Sequence, residues 1–137
     1  MDSILDTLRL GLPVLVLHLA ATMALLGAGI ACYMAVTPFH EMRLVRAGNT
    51  AGGLVLMGAI VALAIPLAAT LASSLVTLDI LLWGIIAVVL QLLAFLLTTL
   101  LFRGVRGMIE AGNIGAACVV FGIQLAVALI NAGAMAG

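Results

Sequence analysis

The chain has 137 residues, of which 66% are hydrophobic and 7% are charged, and its formal net charge at pH 7 is zero. Its mean hydropathy of +1.45 is too high for a soluble domain of this length, so the composition predicts an integral membrane protein. The balanced charge and the lack of any lysine argue against a nucleic-acid partner, because phosphate binding requires a basic face.

Ten charged side chains divide the chain into four long apolar runs. These runs predict membrane-spanning helices at residues 10–36, 51–73, 80–101 and 114–135. About 20 apolar residues are enough to cross the hydrocarbon core, so each run is sufficiently long and a fifth span does not fit. We therefore expect one all-α integral membrane domain over residues 1–137 with the lipid bilayer around it.

The first span carries His18 and Thr22 one turn apart, so this face is expected to point into protein. His18 could serve a proton relay, but no carboxylate accompanies it inside the span. A structural hydrogen bond to Asn131 or Thr22 is the favoured interpretation. Cys32 has no partner at metal-ligand spacing and neither does Cys118, so both are interpreted as small buried hydrophobic residues.

The first loop predicts a short helix on the membrane surface, starting at Thr37 and Pro38. One side of this helix, formed by Phe39, Met42 and either Val45 or Arg46, would rest on the headgroups. Glu41 and Arg43 would reach water.

The same turn follows each loop. Gly48 suits a left-handed helix end and Asn49 suits the N-cap of the second span, and the pair recurs 64 residues later as Gly112 and Asn113. We interpret this recurrence as a helical hairpin present twice, as repeat one over residues 10–73 and repeat two over residues 78–136. Glu110 stands where Arg46 stands in the first copy, so the two loops differ chemically.

The second half of the chain adds interfacial and intramembrane polar residues. Asp79 and Trp83 open the third span and are interpreted as anchors at the outer membrane interface. Gln91 and Gln124 each lie about 11 residues from a loop, which predicts a shared layer at mid-depth. Asn131 is expected in a second layer, with His18, nearer the outer side.

Orientation follows from the arginines, since short loops rich in arginine stay in the cytoplasm. The two loops hold four of the five arginines, so both are expected in the cytoplasm and both termini outside it. The loop charges either set this topology, which is favoured, or bind headgroups or a cytoplasmic protein. These charges are Glu41, Arg43, Arg46, Arg103, Arg106 and Glu110.

Several motifs occur together along the chain: Glu41 before the repeated Gly-Asn pair, Asp79 to Gly84 at the start of the third span, Gln91, and the closing Asn131-Ala132-Gly133. In this combination the chain resembles the domain of unknown function 350 family, the YjfL-like bacterial inner-membrane proteins, over nearly its whole length. The resemblance implies four spans in two related halves in the inner membrane of a bacterium. It implies an envelope-stress setting and supplies no established activity.

Two functional hypotheses follow. No catalytic triad, metal pair, phosphate-binding loop or paired acid is present in the sequence, so we expect no enzyme activity, no cofactor and no metal. The first hypothesis is a homo-oligomeric scaffold or envelope-stress component that associates through glycine and alanine faces. The alternative is an ion channel or small-solute transporter whose path is lined by His18, Gln91, Gln124 and Asn131. The direction in which the two glutamines point distinguishes these hypotheses.

Overall fold

The computed structural model describes residues 1–37 and 40–137. Within them every regular element is helical, and the helices are α1 Asp2–Val36, α2 Glu41–Arg46, α3 Thr50–Ser73, α4 Thr77–Leu101, α5 Val105–Glu110 and α6 Ile114–Ala136. Four of these helices, α1, α3, α4 and α6, are long and apolar enough to cross a membrane. This confirms the predicted all-α membrane fold with four spans.

Two helix starts differ from the prediction. α1 begins at Asp2 instead of residue 10, and its 35 residues measure about 52 Å at ~1.5 Å per residue, well beyond the ~30 Å hydrocarbon core. α4 begins at Thr77 instead of residue 80, with Val76 as its N-cap. The predicted spans were bounded by charged residues, whereas both helices include charged residues in their first turns.

α3 and α6 form the central pair of the bundle and run parallel to each other. Gly58 of α3 lies against Phe121 and Gln124 of α6, and further along the hydroxyl of Ser73 donates to the Met135 carbonyl at 3.5 Å. α4 runs antiparallel to α6, and α1 packs on α4 and α3. Both short helices therefore lie at one end of the bundle, which we call the loop end, and residues 73–77 lie at the other, the hairpin end.

Burial is uneven among the long helices. α3 buries 11 of its residues, whereas α1, the longest helix, buries Thr22, Gly29 and Tyr33. The short helix α5 inserts Val105 and Ile109 into an apolar cluster between α3 and α6 at the loop end. Most of the surface of α1 is therefore left for lipid or for another protein.

The two Gly-Asn turns have the same backbone geometry. Gly48 and Gly112 have φ angles of 78° and 83°, the left-handed region that glycine adopts without strain. The Asn49 side chain accepts from the Gly52 amide at 2.9 Å, and the Asn113 side chain accepts from the amide three residues after it at 3.0 Å. Both asparagines are N-caps, as the sequence predicts.

Asn49 makes a further contact that Asn113 lacks among the described residues. Its amide nitrogen donates to the carbonyls of Ile109 and Glu110, each at 3.1 Å. These carbonyls end α5, so Asn49 fastens the first turn to the second loop. The contact brings both loops to one face of the protein.

Candidate functional site

Five polar side chains that are almost fully buried define the candidate site, which we call the buried polar cluster. They come from α1, α2, α4 and α6, and their exposed fractions are 0% for Tyr33, 1% for Glu41, 0% for Gln91, 3% for Gln124 and 6% for Asn131. A polar group in the membrane interior is unfavourable without a partner, so the partners of these side chains indicate what they do.

Glu41 anchors the short helix α2 to the bundle. Its carboxylate Oε1 accepts a hydrogen bond of 2.5 Å from the Tyr33 hydroxyl of α1. The Tyr33 ring is itself held edge-on against Phe95 of α4, with ring centroids 4.8 Å apart and planes at 74°. The prediction that Glu41 reaches water is therefore wrong, because α2 turns this side chain inward while Arg43 faces out.

The start of α2 also differs from the prediction. Thr37 ends α1, and its hydroxyl donates to the Tyr33 carbonyl at 2.7 Å, so it does not cap the loop helix. His40 is the N-cap of α2. The expected roles of Pro38 and Phe39 lie outside the described residues, whereas Met42 is exposed, as a membrane-facing residue should be.

Burial raises the pKa of Glu41 above its usual value, since desolvation disfavours the charged carboxylate. The Tyr33 hydroxyl and the positive form of His40 act in the opposite direction, but they do not outweigh burial. The neutral carboxylic acid is thus favoured more at this position than it would be in water.

Gln91 and Gln124 lie against each other between α4 and α6. Gln91 Nε2 donates to the backbone carbonyl of Gln124 at 3.1 Å and not to its side chain. Two turns along α6 from Gln124, nearer the hairpin end, Asn131 Nδ2 donates to the Ala87 carbonyl, also at 3.1 Å. These amides join α4 to α6. The side-chain oxygens of Gln91, Gln124 and Asn131 are buried and have no hydrogen-bond partner in the described structure.

His18 does not join the second polar layer. It is half-buried on α1, and its backbone carbonyl, not its ring, accepts the Thr22 hydroxyl at 2.8 Å. Asn131 instead bonds to α4. The predicted pairing of His18 with Asn131 is therefore wrong, because α1 packs on α3 and α4 and makes few contacts with α6.

Three pockets among the described residues lie at the two ends of the bundle, and none of these three is lined by Gln91, Gln124 or Asn131. A cavity of about 670 Å³ at the hairpin end is lined in part by Asp79 and Trp83, and both of these side chains are exposed. A smaller pocket of about 220 Å³ at the loop end lies beside Glu41. The described monomer thus keeps its glutamine layer away from these openings.

The remaining loop charges are on the surface. Arg43, Arg46 and Arg103 are exposed, and Arg106 pairs with Glu110 at 2.9 Å one helical turn away. Cys32 and Cys118 are free thiols and both are exposed, so the prediction that they are buried is wrong: each lies on a helix face that the other helices do not cover. No group of three His, Cys, Asp or Glu side chains suited to a metal ion occurs within the described ranges.

Tyr33 is the residue that sequence reasoning missed. It is the single tyrosine of the chain and precedes Glu41 by eight residues, which places both near the same helix end. A second signal was available in the repeat, because the 64-residue offset aligns Glu41 with Val105, and both prove to be buried. An acid aligned with an apolar core residue is a sign of a buried acid.

Comparison with known proteins gives a consistent result. The family model described as Domain of Unknown Function (DUF350) matches residues 7–135. The "UPF0719 inner membrane protein YjfL" of Escherichia coli strain K12 and its counterpart in Escherichia coli O157:H7 are each 31% identical over 103 residues, covering 75% of this chain and 78% of the relative. No solved structure matches the chain.

Proposed function

The chain belongs to the DUF350 family of membrane proteins, and from this membership and the packing of its helices we propose that it is a non-enzymatic scaffold that self-associates in the bacterial inner membrane. Its copies meet through the free face of α1. The envelope-stress setting that the family resemblance implies is the context in which such an assembly would act.

The observation that carries this proposal is an exposed row of small residues on α1. Ala20, Ala24, Gly27 and Ala31 fall one turn apart and are all exposed, and a Cβ placed on Gly27 would meet no atom within 4 Å. We call these four residues the small-residue stripe. In lipid, helices associate where small side chains let two backbones approach closely, because burial of apolar surface supplies little driving force there.

The loop end supports a second part of the proposal. Arg43, Arg46 and Arg103 are exposed on the same face, and Asn49 holds the two loops together. Arginines in such positions keep loops in the cytoplasm and contact anionic headgroups, which supports an orientation with both termini on the outer side. A cytoplasmic protein with an acidic surface would bind at this face.

The doubled hairpin belongs to the same proposal. The turns at Gly48 and Gly112 share their φ values and their asparagine caps, which supports two related halves at residues 10–73 and 78–136. The parallel course of α3 and α6 fits repeats related by an axis along the membrane normal.

Self-association is tested by the mass of the protein in mild detergent and in lipid nanodiscs. Replacing Ala24 and Gly27 with Leu covers the stripe and should convert the oligomer to monomers. Gly11→Leu is the matched control, since Gly11 lies on the same helix, outside the stripe, and also has open space around it. A wild-type chain that is monomeric in both media, or a control as disruptive as the stripe variant, would refute the proposal.

The alternative function is a channel or carrier, and one observation favours it: the buried side-chain oxygens of Gln91, Gln124 and Asn131 have no donor. Acceptors of this kind bind a passing cation or water chain where helices separate. We expect equal ion and polyamine flux into vesicles for the wild type and for the double variant Gln91→Leu, Gln124→Leu. A wild-type flux that this double variant abolishes would replace the scaffold with a transporter.

A further inference from the structure

Glu41 differs from every other acid of the described chain in being enclosed by the protein. Its side chain is 1% exposed, and its recorded hydrogen-bond partner is the neutral Tyr33 hydroxyl. The ion pair found in the described residues joins Arg106 to Glu110 and does not involve Glu41. A buried carboxyl without a cation is more stable protonated than ionised, because the ion loses its hydration without gaining a counter-charge.

The groups around Glu41 are consistent with a protonated carboxyl. α1 presents Tyr33, and the segment of Glu41 itself presents His40 and Arg43, which line the adjacent pocket together with Met34 and Met42. α3 and α6 contain no charged residue, and the charged residue of α4, Asp79, lies at the hairpin end. The neutral form of the Glu41 carboxyl therefore suits its buried position against α1. The positive groups, His40 and Arg43, lie on the pocket side.

We propose that the Glu41 carboxyl is a proton-binding site at the loop end, and that the bound proton keeps α2 packed against the bundle. When the proton is lost, the carboxyl O–H bond breaks, its electron pair stays on the carboxylate, and the proton passes to a water molecule through the pocket of about 220 Å³ beside Glu41. The Tyr33 hydroxyl favours the carboxylate but does not outweigh the burial of its charge, so the carboxylate moves to the pocket side, toward His40 and Arg43, and α2 loses its anchor. The raised pKa of Glu41 is consistent with this link between proton binding and the packing of α2, because the packed position favours the protonated carboxyl.

The second loop provides a built-in control. α5 occupies the place in the second half that α2 occupies in the first, and it is held by Val105 and Ile109, which are apolar and buried. Val105 stands at the position aligned with Glu41. The docking of α5 should not depend on a proton, so any pH effect specific to α2 arises from Glu41.

The proton site is tested by labelling the whole protein in lipid vesicles with dicyclohexylcarbodiimide, which reacts with protonated carboxyl groups in apolar surroundings. At a pH above the ordinary carboxyl pKa of about 4.5, peptide mass mapping should find the label on Glu41 and not on Glu110, which is exposed and paired with Arg106. Labelling should fall about tenfold per pH unit once the pH exceeds the pKa of Glu41. Glu41→Gln should lose the label, and Glu110→Gln should keep it.

Three results would overturn the site. One is a folded wild type in which Glu41 is not labelled. Another is labelling that follows the ordinary carboxyl pKa of about 4.3. The third is labelling abolished by sodium ions at constant pH, which would identify a metal-cation site. None of these outcomes depends on self-association, so the scaffold proposal stands or falls separately.

The coupling to α2 is tested by hydrogen exchange, with the amides of residues 41–46 compared with those of residues 105–110 in the same molecule. This ratio removes the intrinsic pH dependence of exchange. Exchange of α2 relative to α5 should rise by up to tenfold per pH unit in the wild type. The ratio should stay constant in Glu41→Gln and in Glu41→Val, which copies Val105. A ratio independent of pH in the wild type, or dependent on pH in both variants, would show that the proton does not hold α2.

Discussion

Gly58 offers a sharp test of the packing between α3 and α6. A Cβ at this position would lie 2.7 Å from Phe121 Cδ2 and 3.0 Å from Gln124 Oε1. Ordinary contact begins at 3.4 Å, so the phenylalanine ring must retreat by 3.4 − 2.7 = 0.7 Å. Gly122, which stands 64 residues later, would meet nothing within 4 Å. Gly58→Ala and Gly122→Ala thus make the same chemical change in a crowded and an open place.

Overpacking of this kind lowers the free energy of unfolding by about 1 to 3 kcal/mol. Replacing a helical Gly with Ala raises it by roughly 0.5 to 1 kcal/mol, and this gain applies at both positions. The helix term cancels between the two variants, so Gly58→Ala should be less stable than Gly122→Ala by about 1 to 3 kcal/mol. Phe121 is half-buried and has some room to move, which places the value in the lower half of that range.

The assay is reversible unfolding in mixed micelles of increasing sodium dodecyl sulfate content, followed by circular dichroism. The free energies of unfolding of the wild type and the two alanine variants are compared. Equal stability of the two variants would refute the close approach of α3 and α6 and the inward position of Gln124.

Three further predictions use the same unfolding assay. Asn49→Ala should lower the free energy of unfolding more than Asn113→Ala. Each variant loses an N-cap worth about 1 kcal/mol, and Asn49→Ala also loses two hydrogen bonds to the second loop. Equal losses would contradict the contact between the loops. Glu41 has a raised folded pKa, so the folded state binds more protons, and stability should fall as the pH rises above about 4.5 and level off beyond the folded pKa. Glu41→Gln should flatten this fall, and a wild type whose stability rises over the same range would contradict the sign. Arg106→Ala should change stability by less than about 0.5 kcal/mol, because its pair with Glu110 is exposed; a larger loss would indicate a contact beyond that pair.

The number of spans and the two turns could be predicted because they depend on local chemistry. Long apolar runs require helices in a bilayer, and a glycine followed by an asparagine ends one helix and caps the next. The extension of α1 before the predicted span was not anticipated, although nothing in residues 2–9 breaks a helix.

The site was predicted less well, because its partners are distant in sequence. The depths of Gln91 and Gln124 follow from counting residues, but the backbone carbonyl that Gln91 binds depends on how α4 and α6 are rotated. Glu41 was expected in water, since an acid in a polar loop is usually solvated. Its burial depends on Tyr33 and Phe95, which two other helices bring to the loop end.

Crosslinking within native membranes tests the central claim, association through α1, most directly. In a chain without Cys32 and Cys118, a cysteine replacing Ala31 lies on the small-residue stripe, and a disulfide forms when two Cα atoms come within about 7 Å. Mild oxidation should convert this variant to a covalent dimer. A chain that keeps Cys118, which is exposed on α6, and lacks Cys32 should form no covalent dimer. If the Ala31→Cys chain forms no covalent dimer, or if Cys118 crosslinks equally well, the copies do not meet through α1.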